Sequence, residues 1–407
     1  MVISAFSNAA ARTSRALVLL LALAACATDQ APVAQAPKPP KEALPLDAAV
    51  LSLADAVLLR AGLPPGPPRP LVIDPLIDRA TGTETATTRA MSRRIAAAVT
   101  DHHPNYRLQP FTLASLDARP LVLLGAITGV TAAGSLQNST TAAPVAYRIW
   151  AVLADLSTGK VVAHETAWVR PEEVDTTPTA FHRDSPAWVD DPAAAAYLRV
   201  CAGNPGDPID ADWLQSVRAE ALIADATAAY EAGRYAEAQA QFAAARAAPK
   251  GAQLRSFNGQ YLAAAALDRP REAEAAFGEL VEYGLERQRL AVKFLFRPGG
   301  AAFWPDPAIS GRYPMWLRQI ARHANADGAC LDIIGHASTT GSAAVNQRVS
   351  LDRARSIRQR LLAVEAPLAR RLQAEGAGAS KPLIGTGRDD ATDLLDRRVE
   401  FRPQPCT

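Results

Sequence analysis

Hydrophobic positions change their spacing along the chain, and each spacing predicts a different kind of element. Residues 16–25 form a continuous apolar run, whereas residues 47–61 carry apolar side chains at helical intervals. Apolar bursts separated by turn residues, a pattern typical of strands, follow at residues 71–76, 121–130, 147–156 and 160–169. The chain therefore begins with a helix-forming part and continues into strands.

The first folded region is predicted to be an α/β domain. A helix over residues 47–61, with Asp47 as its N-cap, precedes the strands, and a second helix with an apolar stripe lies at residues 85–99. Strands interleaved with helix are typical of α/β domains. Gly159 is suited to the hairpin turn between the last two strands. The segment 170–212, rich in Pro and Asp, is expected to be a loop or linker.

The middle region is predicted to be helical and repetitive. Residues 212–285 are rich in alanine, and the pair Ala238 and Phe242 recurs as Ala273 and Phe277. The period is about 35 residues, within the range of helical-repeat proteins. Two repeats are fewer than such proteins need to stand alone, so these helices are expected to lean on a neighbouring domain. A plain helical hairpin that links two domains is the alternative.

The last region is predicted to alternate between strands and helices. The expected order is strand, helix, strand, longer helix and strand, at residues 289–296, 314–324, 330–336, 349–362 and 397–402.

Composition limits the classes of function. The 407 residues suffice for two or three domains, and the net charge of +2, with both signs mixed along the chain, gives no case for a nucleic acid partner. The cysteines have no metal-ligand spacing, so neither a metal nor a cofactor is expected. No catalytic motif is recognisable, and the histidines are interpreted as structural or solvated, so the protein is not expected to be an enzyme.

The amino terminus resembles a bacterial lipoprotein signal. Positive Arg12 and Arg15, the apolar run and the small residues before Cys26 fit that pattern. The resemblance implies that residues 1–25 are removed and that Cys26 is acylated, with palmitate among its lipids. The apolar core has about half of the roughly 20 residues that a membrane span needs, which argues against a retained transmembrane anchor. Ala27, where an aspartate would favour inner-membrane retention, indicates the outer membrane.

Two further resemblances concern the regions that follow the tether and short helix of residues 26–69. The opening Leu71-Val72-Ile73-Asp74-Pro75 and the hairpin around Gly159 resemble the LpoB and CsgG-like periplasmic domains, over residues 70–200. A generic α/β domain is the alternative. Residues 212–287 resemble tetratricopeptide repeats, in which a small alanine lets paired helices pack closely.

Three separated motifs near the carboxyl terminus resemble the OmpA-like domain of outer-membrane protein A, the peptidoglycan-associated lipoprotein and flagellar motor stators. They are Gly335-His336-Ala337-Ser338, the helix with Asn346, Arg353 and Ile357, and Asp396-Arg397-Arg398-Val399-Glu400. The match spans residues 289–405. The chain is thus expected to be a multidomain α/β and α protein that ends in an OmpA-like α/β sandwich with a mixed sheet.

This resemblance implies non-covalent binding of the peptidoglycan stem peptide through meso-diaminopimelate, which offers an ammonium and a carboxylate. Arg353 occupies the family position for the carboxylate, and a guanidinium suits it because its fork donates two parallel hydrogen bonds. The aspartate that the family uses for the ammonium is replaced by Ser338. Thr340 and Asn346 match further polar positions, and Arg398 is a weaker candidate that is also expected to brace the sheet.

The same resemblance places the strand that begins at Cys330 beside the last strand, so a disulfide between Cys330 and Cys406 is expected. The implied function is that of a lipid-anchored outer-membrane protein that faces the periplasm, binds the cell wall and recruits an unidentified envelope protein through its middle regions. The alternative is a scaffold or regulator of a cell-wall synthase or envelope machine whose OmpA-like domain has lost normal wall binding.

Overall fold

The computed structural model describes residues 43–62, 66–131, 144–189, 191–288, 290–297, 299–382 and 396–406. The expected signal peptide, Cys26 and most of the tether lie outside these residues. Within the described ranges, no helix combines the length and the apolar character that crossing a bilayer requires.

The amino-terminal region is built on a six-stranded sheet. Its strands are β1 Arg69–Ile73, β2 Ile77–Asp78, β3 Tyr106–Leu108, β4 Leu121–Val130, β5 Ala146–Asp155 and β6 Lys160–Val169. The order is β3-β1-β4-β5-β6, with β2 beside β4; β1 is parallel to β3 and β4, whereas β4, β5 and β6 are antiparallel. The predicted hairpin is confirmed, because Asp155 pairs with Lys160 and Gly159 has a φ of +71°.

Helices α1 Leu46–Arg60 and α2 Ala86–His102 pack on one face of this sheet, and the short α3 Leu113–Asp117 follows β3. Both longer helices were predicted by their apolar spacing, and they are confirmed. Asp47 as an N-cap is wrong: Pro45 occupies that position, and Asp47 lies in the first turn, where its charge favours the helix dipole. Helix α2 does have a capping box, in which Thr85 and Thr88 each accept the backbone N–H of the other.

The segment 170–212 is not the predicted loop. It contains α4 Ala180–Asp184, β7 Ala187–Trp188 and α5 Pro192–Cys201. Helix α5 begins at a proline and is capped by Asp191. Pro and Asp are common at the start of helices as well as in turns, so the composition of this segment did not distinguish the two. The α5 side chains Tyr197 and Val200 cover the second face of the first sheet.

Four helices form the middle region: α6 Ala211–Glu231, α7 Tyr235–Ala247, α8 Leu254–Ala266 and α9 Pro270–Glu286. The predicted interior positions Ala238, Phe242, Ala273 and Phe277 are all buried. These helices lean on the next region, as expected, since Phe277 stacks on Trp316 with ring centroids 5.4 Å apart. The resemblance to tetratricopeptide repeats, like the LpoB resemblance, stays a prediction.

The carboxyl-terminal region has a mixed five-stranded sheet, which confirms the predicted fold class. Its elements are β8 Leu290–Val292, α10 Pro307–Ser310, α11 Tyr313–Ala326, β9 Cys330–Gly335, α12 Ala343–Val364, β10 Leu372–Gly376 and β11 Val399–Gln404. The strand order is β10-β9-β11-β8-β7, in which β10 and β9 are parallel and the other pairs are antiparallel. Strand β7 therefore joins the second sheet, although it precedes the middle helices in the chain.

The disulfide between Cys330 and Cys406 is confirmed. Cys330 opens β9 and pairs in register with Gln404 of β11, which brings the following Cys406 within reach. The two Cα atoms lie 5.2 Å apart, inside the usual range for this bond. The buried Cys201 is a free thiol.

Candidate functional site

The candidate site begins at the end of β9, where the strand lies very close to α12. A Cβ atom on Gly335 would lie 2.1 Å from the carbonyl oxygen of Ser350, so only glycine permits this approach. The chain then leaves the sheet, and the N–H of Ala337 donates to the carbonyl of Gly378 at 2.9 Å. Ser338 follows at this fixed position and is buried; its hydroxyl lies 3.1 Å from that of the half-buried Thr340.

Helix α12 supplies two more of the predicted ligands from one face. Ser342 caps the helix by accepting the N–H of Val345, and the buried face of the helix contains Asn346 and, two turns later, Arg353. The sequence predicts the helical core of α12 from residue 349, but the helix starts at Ala343, so Asn346 belongs to its first turns. The fold thus brings Ser338, Thr340 and Asn346 to one end of the sheet, with Arg353 further along the same helix face.

The Arg353 side chain is turned into the fold and is 6% exposed. Its Nε donates to the carbonyl oxygen of Gly300 at 3.2 Å, and its guanidinium carbon lies 5.0 Å from the centroid of the Phe296 ring. The next residues of the same segment also contact α12, since the Ser356 hydroxyl donates to the carbonyl of Ala301 at 3.3 Å. The sequence analysis predicted that this guanidinium faces a ligand. It did not predict that the chain around Gly300 packs over the side chain.

Arg398 has a bracing role in this structure. It is buried, and its Nε and Nη2 donate to Oε1 of Glu400 at 2.9 and 2.6 Å. Its guanidinium also donates to the carbonyl of Lys381, at 3.3 Å from Nη2, which ties β11 to the chain after β10. His336 lies against the same carboxylate, with Nε2 3.3 Å from Oε1 of Glu400. The buried Glu400, which the sequence analysis gave only as the last residue of a motif, therefore holds two other residues of the family motifs together.

Asp352, next to the candidate arginine, does not replace the missing aspartate. Its side chain is half exposed and lies 3.9 Å from Arg355, on the outer side of α12. Within the described ranges, no group of three or more His, Cys, Asp or Glu side chains could hold a metal ion.

Comparison with known proteins matches one part of the chain to a family. Residues 307–393 match the model of the OmpA family. No curated protein matches the chain. Among solved structures, the peptidoglycan-associated lipoprotein from Burkholderia pseudomallei is 22% identical, with a TM-score of 0.23, over 28% of this chain and 89% of that one.

Two further solved structures are similar over the same share of the chain. The cell wall anchor of the T6SS from Pseudomonas aeruginosa is 22% identical, with a TM-score of 0.24, over 28% of this chain and 81% of that one. The periplasmic domain of Helicobacter pylori MotB is 13% identical, with a TM-score of 0.24, over 29% of this chain and 76% of that one. The carboxyl-terminal part of the chain, matched at residues 307–393, is an OmpA-like domain.

Proposed function

We propose that the chain binds peptidoglycan non-covalently through its OmpA-like domain and so anchors itself to the cell wall. The observation that carries the proposal is the match of residues 307–393 to the OmpA family, because it includes the helix that holds Asn346 and Arg353. The solved proteins with similar domains are described as a peptidoglycan-associated lipoprotein and a cell wall anchor. Binding, with no chemical change of the wall, is the activity that such a domain would supply.

The ligand proposed for the site is the free end of meso-diaminopimelate in the stem peptide. Its carboxylate would pair with Arg353, and its ammonium would meet the neutral oxygens of Ser338, Thr340 and Asn346. Exchanging a carboxylate for the Ser338 hydroxyl forfeits about 1.5–3 kcal/mol, the usual contribution of a hydrogen bond to a charged group. This corresponds to about tenfold to a hundredfold in affinity, so the site would be weak, and attachment close to the wall would offset the loss.

Binding at Arg353 requires an exchange of partners. The Nε atom now donates to the neutral carbonyl of Gly300 at 3.2 Å. A ligand carboxylate would replace that carbonyl with a charged acceptor, and charge-assisted hydrogen bonds are about twice as strong as neutral ones. A ligand at Arg353 would therefore displace the Gly300 contact, and residues 299–301 would have to move away from α12.

Co-sedimentation with purified sacculi tests the proposal. Wild type should pellet at low salt, and Arg353→Ala should stay in the supernatant. Arg355→Ala is the matched control, because Arg355 lies on the same helix and is exposed, with Asp352 as its ion-pair partner. Circular dichroism melting of each variant separates lost binding from lost folding. Equal pelleting of wild type and a folded Arg353→Ala protein would refute the proposed site.

A second function, that of a scaffold or regulator without wall binding, is favoured by one observation. Arg353 is buried and donates to the backbone carbonyl of Gly300 in the same domain. That domain also has Ser338 where the family has an aspartate. If this second function is correct, the wild-type protein should stay in the supernatant when sacculi are pelleted, even at low salt. Soluble muropeptides appearing in the same assay would instead indicate an enzyme acting on the wall, which we do not expect.

The attachment to the outer membrane and the recruitment of a protein partner are also part of the proposal. The motif before Cys26 supports acylation at that residue. Labelling cells with radioactive palmitate tests it: the wild-type chain should carry label and fractionate with outer membranes, whereas Cys26→Ala should carry none. Cross-linking in intact cells, followed by mass spectrometry, would identify the envelope protein that contacts residues 70–287.

A further inference from the structure

A cavity of about 590 Å³ lies where the three regions of the described chain meet. Its lining comes mainly from the turn at residues 79–83, from residues 181–199, from α8 and from Lys293, which follows β8. The volume falls within the range of sites that hold small ligands. None of the lining residues belongs to the candidate site on α12, so this is a separate place in the molecule.

Apolar side chains form most of the cavity wall. Phe181, Trp188 and Val189 are buried, and Leu198 of α5 extends the same wall. The indole N–H of Trp188 donates to the carbonyl of Thr81 at 3.1 Å, which fixes the ring in place. A wall of this kind favours a ligand with an apolar body.

Lys293 supplies a positive charge to the cavity. Its backbone N–H donates to the carbonyl of Pro186 at 2.9 Å, and its ammonium donates to the carbonyls of His182 and Arg183 at 3.1 and 3.0 Å. Both ammonium acceptors are neutral, and an ammonium has a third N–H to offer. Burial lowers the pKa of Lys293 to about 8, and burial with nearby cations lowers that of His182 to about 3, so His182 is neutral at pH 7.

Asn258 fixes the chain beside Lys293. Its side chain is 2% exposed, and its Nδ2 donates to the carbonyl of Ala187 at 3.0 Å. Its Oδ1 is buried as well, so this amide holds the wall in place rather than facing a ligand. Since Pro186 and Ala187 are adjacent, Asn258 and Lys293 are held against the same short stretch of chain.

Two further charged groups of this lining, Asp191 and Arg255, are engaged by the fold. The Asp191 carboxylate accepts the N–H of Leu254 at 3.0 Å and the hydroxyl of Tyr283 at 3.2 Å. Arg255 forms an ion pair with the buried Glu220. Of these three groups, Lys293 is the cation with an N–H left to donate to a ligand.

We propose that this cavity binds a small carboxylic acid that has an apolar body, such as an N-acylated amino acid or the carboxyl end of a short peptide. The carboxylate accepts from the Lys293 ammonium, and the apolar part lies on Phe181 and Trp188. Because the lining comes from all three regions, a bound ligand stabilises their arrangement.

Isothermal titration of the purified full-length protein with N-acetyl-leucine tests the proposal. A ligand of this size should bind with a Kd of about 1 mM or tighter. N-acetyl-leucinamide, which lacks the carboxylate, and isoamylamine, whose charge is reversed, should each bind at least about tenfold more weakly. Equal binding of the acid and its amide, or no heat from the acid at about 10 mM, would overturn the proposal.

Two variants locate the binding. Lys293→Met should weaken N-acetyl-leucine by about tenfold or more, whereas Lys160→Met, which changes an exposed lysine of β6, should leave it unchanged. Ala194→Leu places extra volume into the cavity from α5 and should abolish binding while the circular dichroism spectrum is retained. Unchanged affinity in both cavity variants would show that the acid binds elsewhere. Sacculus binding is measured separately, so its outcome does not affect this result.

Discussion

Removing the disulfide gives a quantitative test of the carboxyl-terminal fold. Cys330 and Cys406 are separated by 76 residues, and the chain-entropy relation for a loop of this length gives about 4.5 kcal/mol at 25 °C. Measured values usually fall below that relation, so Cys406→Ser should lower the free energy of unfolding by about 2–4 kcal/mol. Cys406 is the better residue to change, because it is exposed and lies beyond β11, whereas Cys330 is buried within the sheet.

Urea unfolding followed by tryptophan fluorescence measures this loss, since Trp316 packs in the core shared by the middle helices and the second sheet. Reduced wild type should match Cys406→Ser, and the double variant Cys330→Ser/Cys406→Ser should add only the local cost of a serine in β9. A change below about 0.5 kcal/mol in Cys406→Ser, or non-reduced peptides with both thiols free, would refute the reasoning.

Three further predictions concern packing, pH and the ligand site. Gly259→Ala places a Cβ 2.4 Å from the Phe242 ring and should lower the free energy of unfolding in urea by about 1–3 kcal/mol. Because the two residues are in contact, Phe242→Leu should cost less in the Gly259→Ala background than in wild type. A double variant whose cost equals the sum of the two single costs would contradict this packing. Burial raises the pKa of Asp78 to about 6, so the stability from its protonation is present below pH 3.8 and is lost as pH rises through 6. The free energy of unfolding of Asp78→Asn should therefore exceed that of wild type by up to about 3 kcal/mol above pH 6 and by nothing near pH 4. A difference that does not change with pH would show that the pKa of Asp78 is not raised. Ser338→Asp should strengthen stem-peptide binding by about tenfold to a hundredfold in titrations, and an unchanged Kd would remove Ser338 from the site.

Local patterns predicted most elements because period and burial agree there. The apolar bursts at residues 121–130 and 160–169 are strands with the same bounds as β4 and β6. Helix α11 was predicted over residues 314–324 and spans Tyr313–Ala326. Helix α11 buries one face, and this produces the periodicity that sequence analysis detects, whereas β4 is buried at every position and is detected as a continuous apolar run.

Elements that depend on distant partners were missed. Strand β7 has two residues, too few for a periodic signal, and it exists because it pairs with β8, more than 100 positions away. Strand β10 alternates buried and accessible positions but was not recognised, since its stability comes from its parallel pairing with β9. Such strands are determined by the sheet that they join rather than by their own residues.

The sequence supplied the residues of the candidate site, which stay a prediction, but it gave no information on how exposed they are. The family motif placed Ser338, Asn346 and Arg353, and the fold puts them at the end of β9 and on one face of α12. The contact of Arg353 with Gly300 could not be derived from the motif, because it depends on how the segment after β8 folds back. The glycine pair at residues 299 and 300, which follows the aromatic Phe296, is the sequence signal for a turn there.

Titration with a soluble stem peptide that ends in meso-diaminopimelate tests the central proposal most directly. The account predicts measurable binding by wild type, loss of binding in a folded Arg353→Ala protein and an unchanged Kd in Arg355→Ala. Binding that survives Arg353→Ala, or a wild-type protein that binds the peptide no better than one whose terminal carboxylate is amidated, would contradict it.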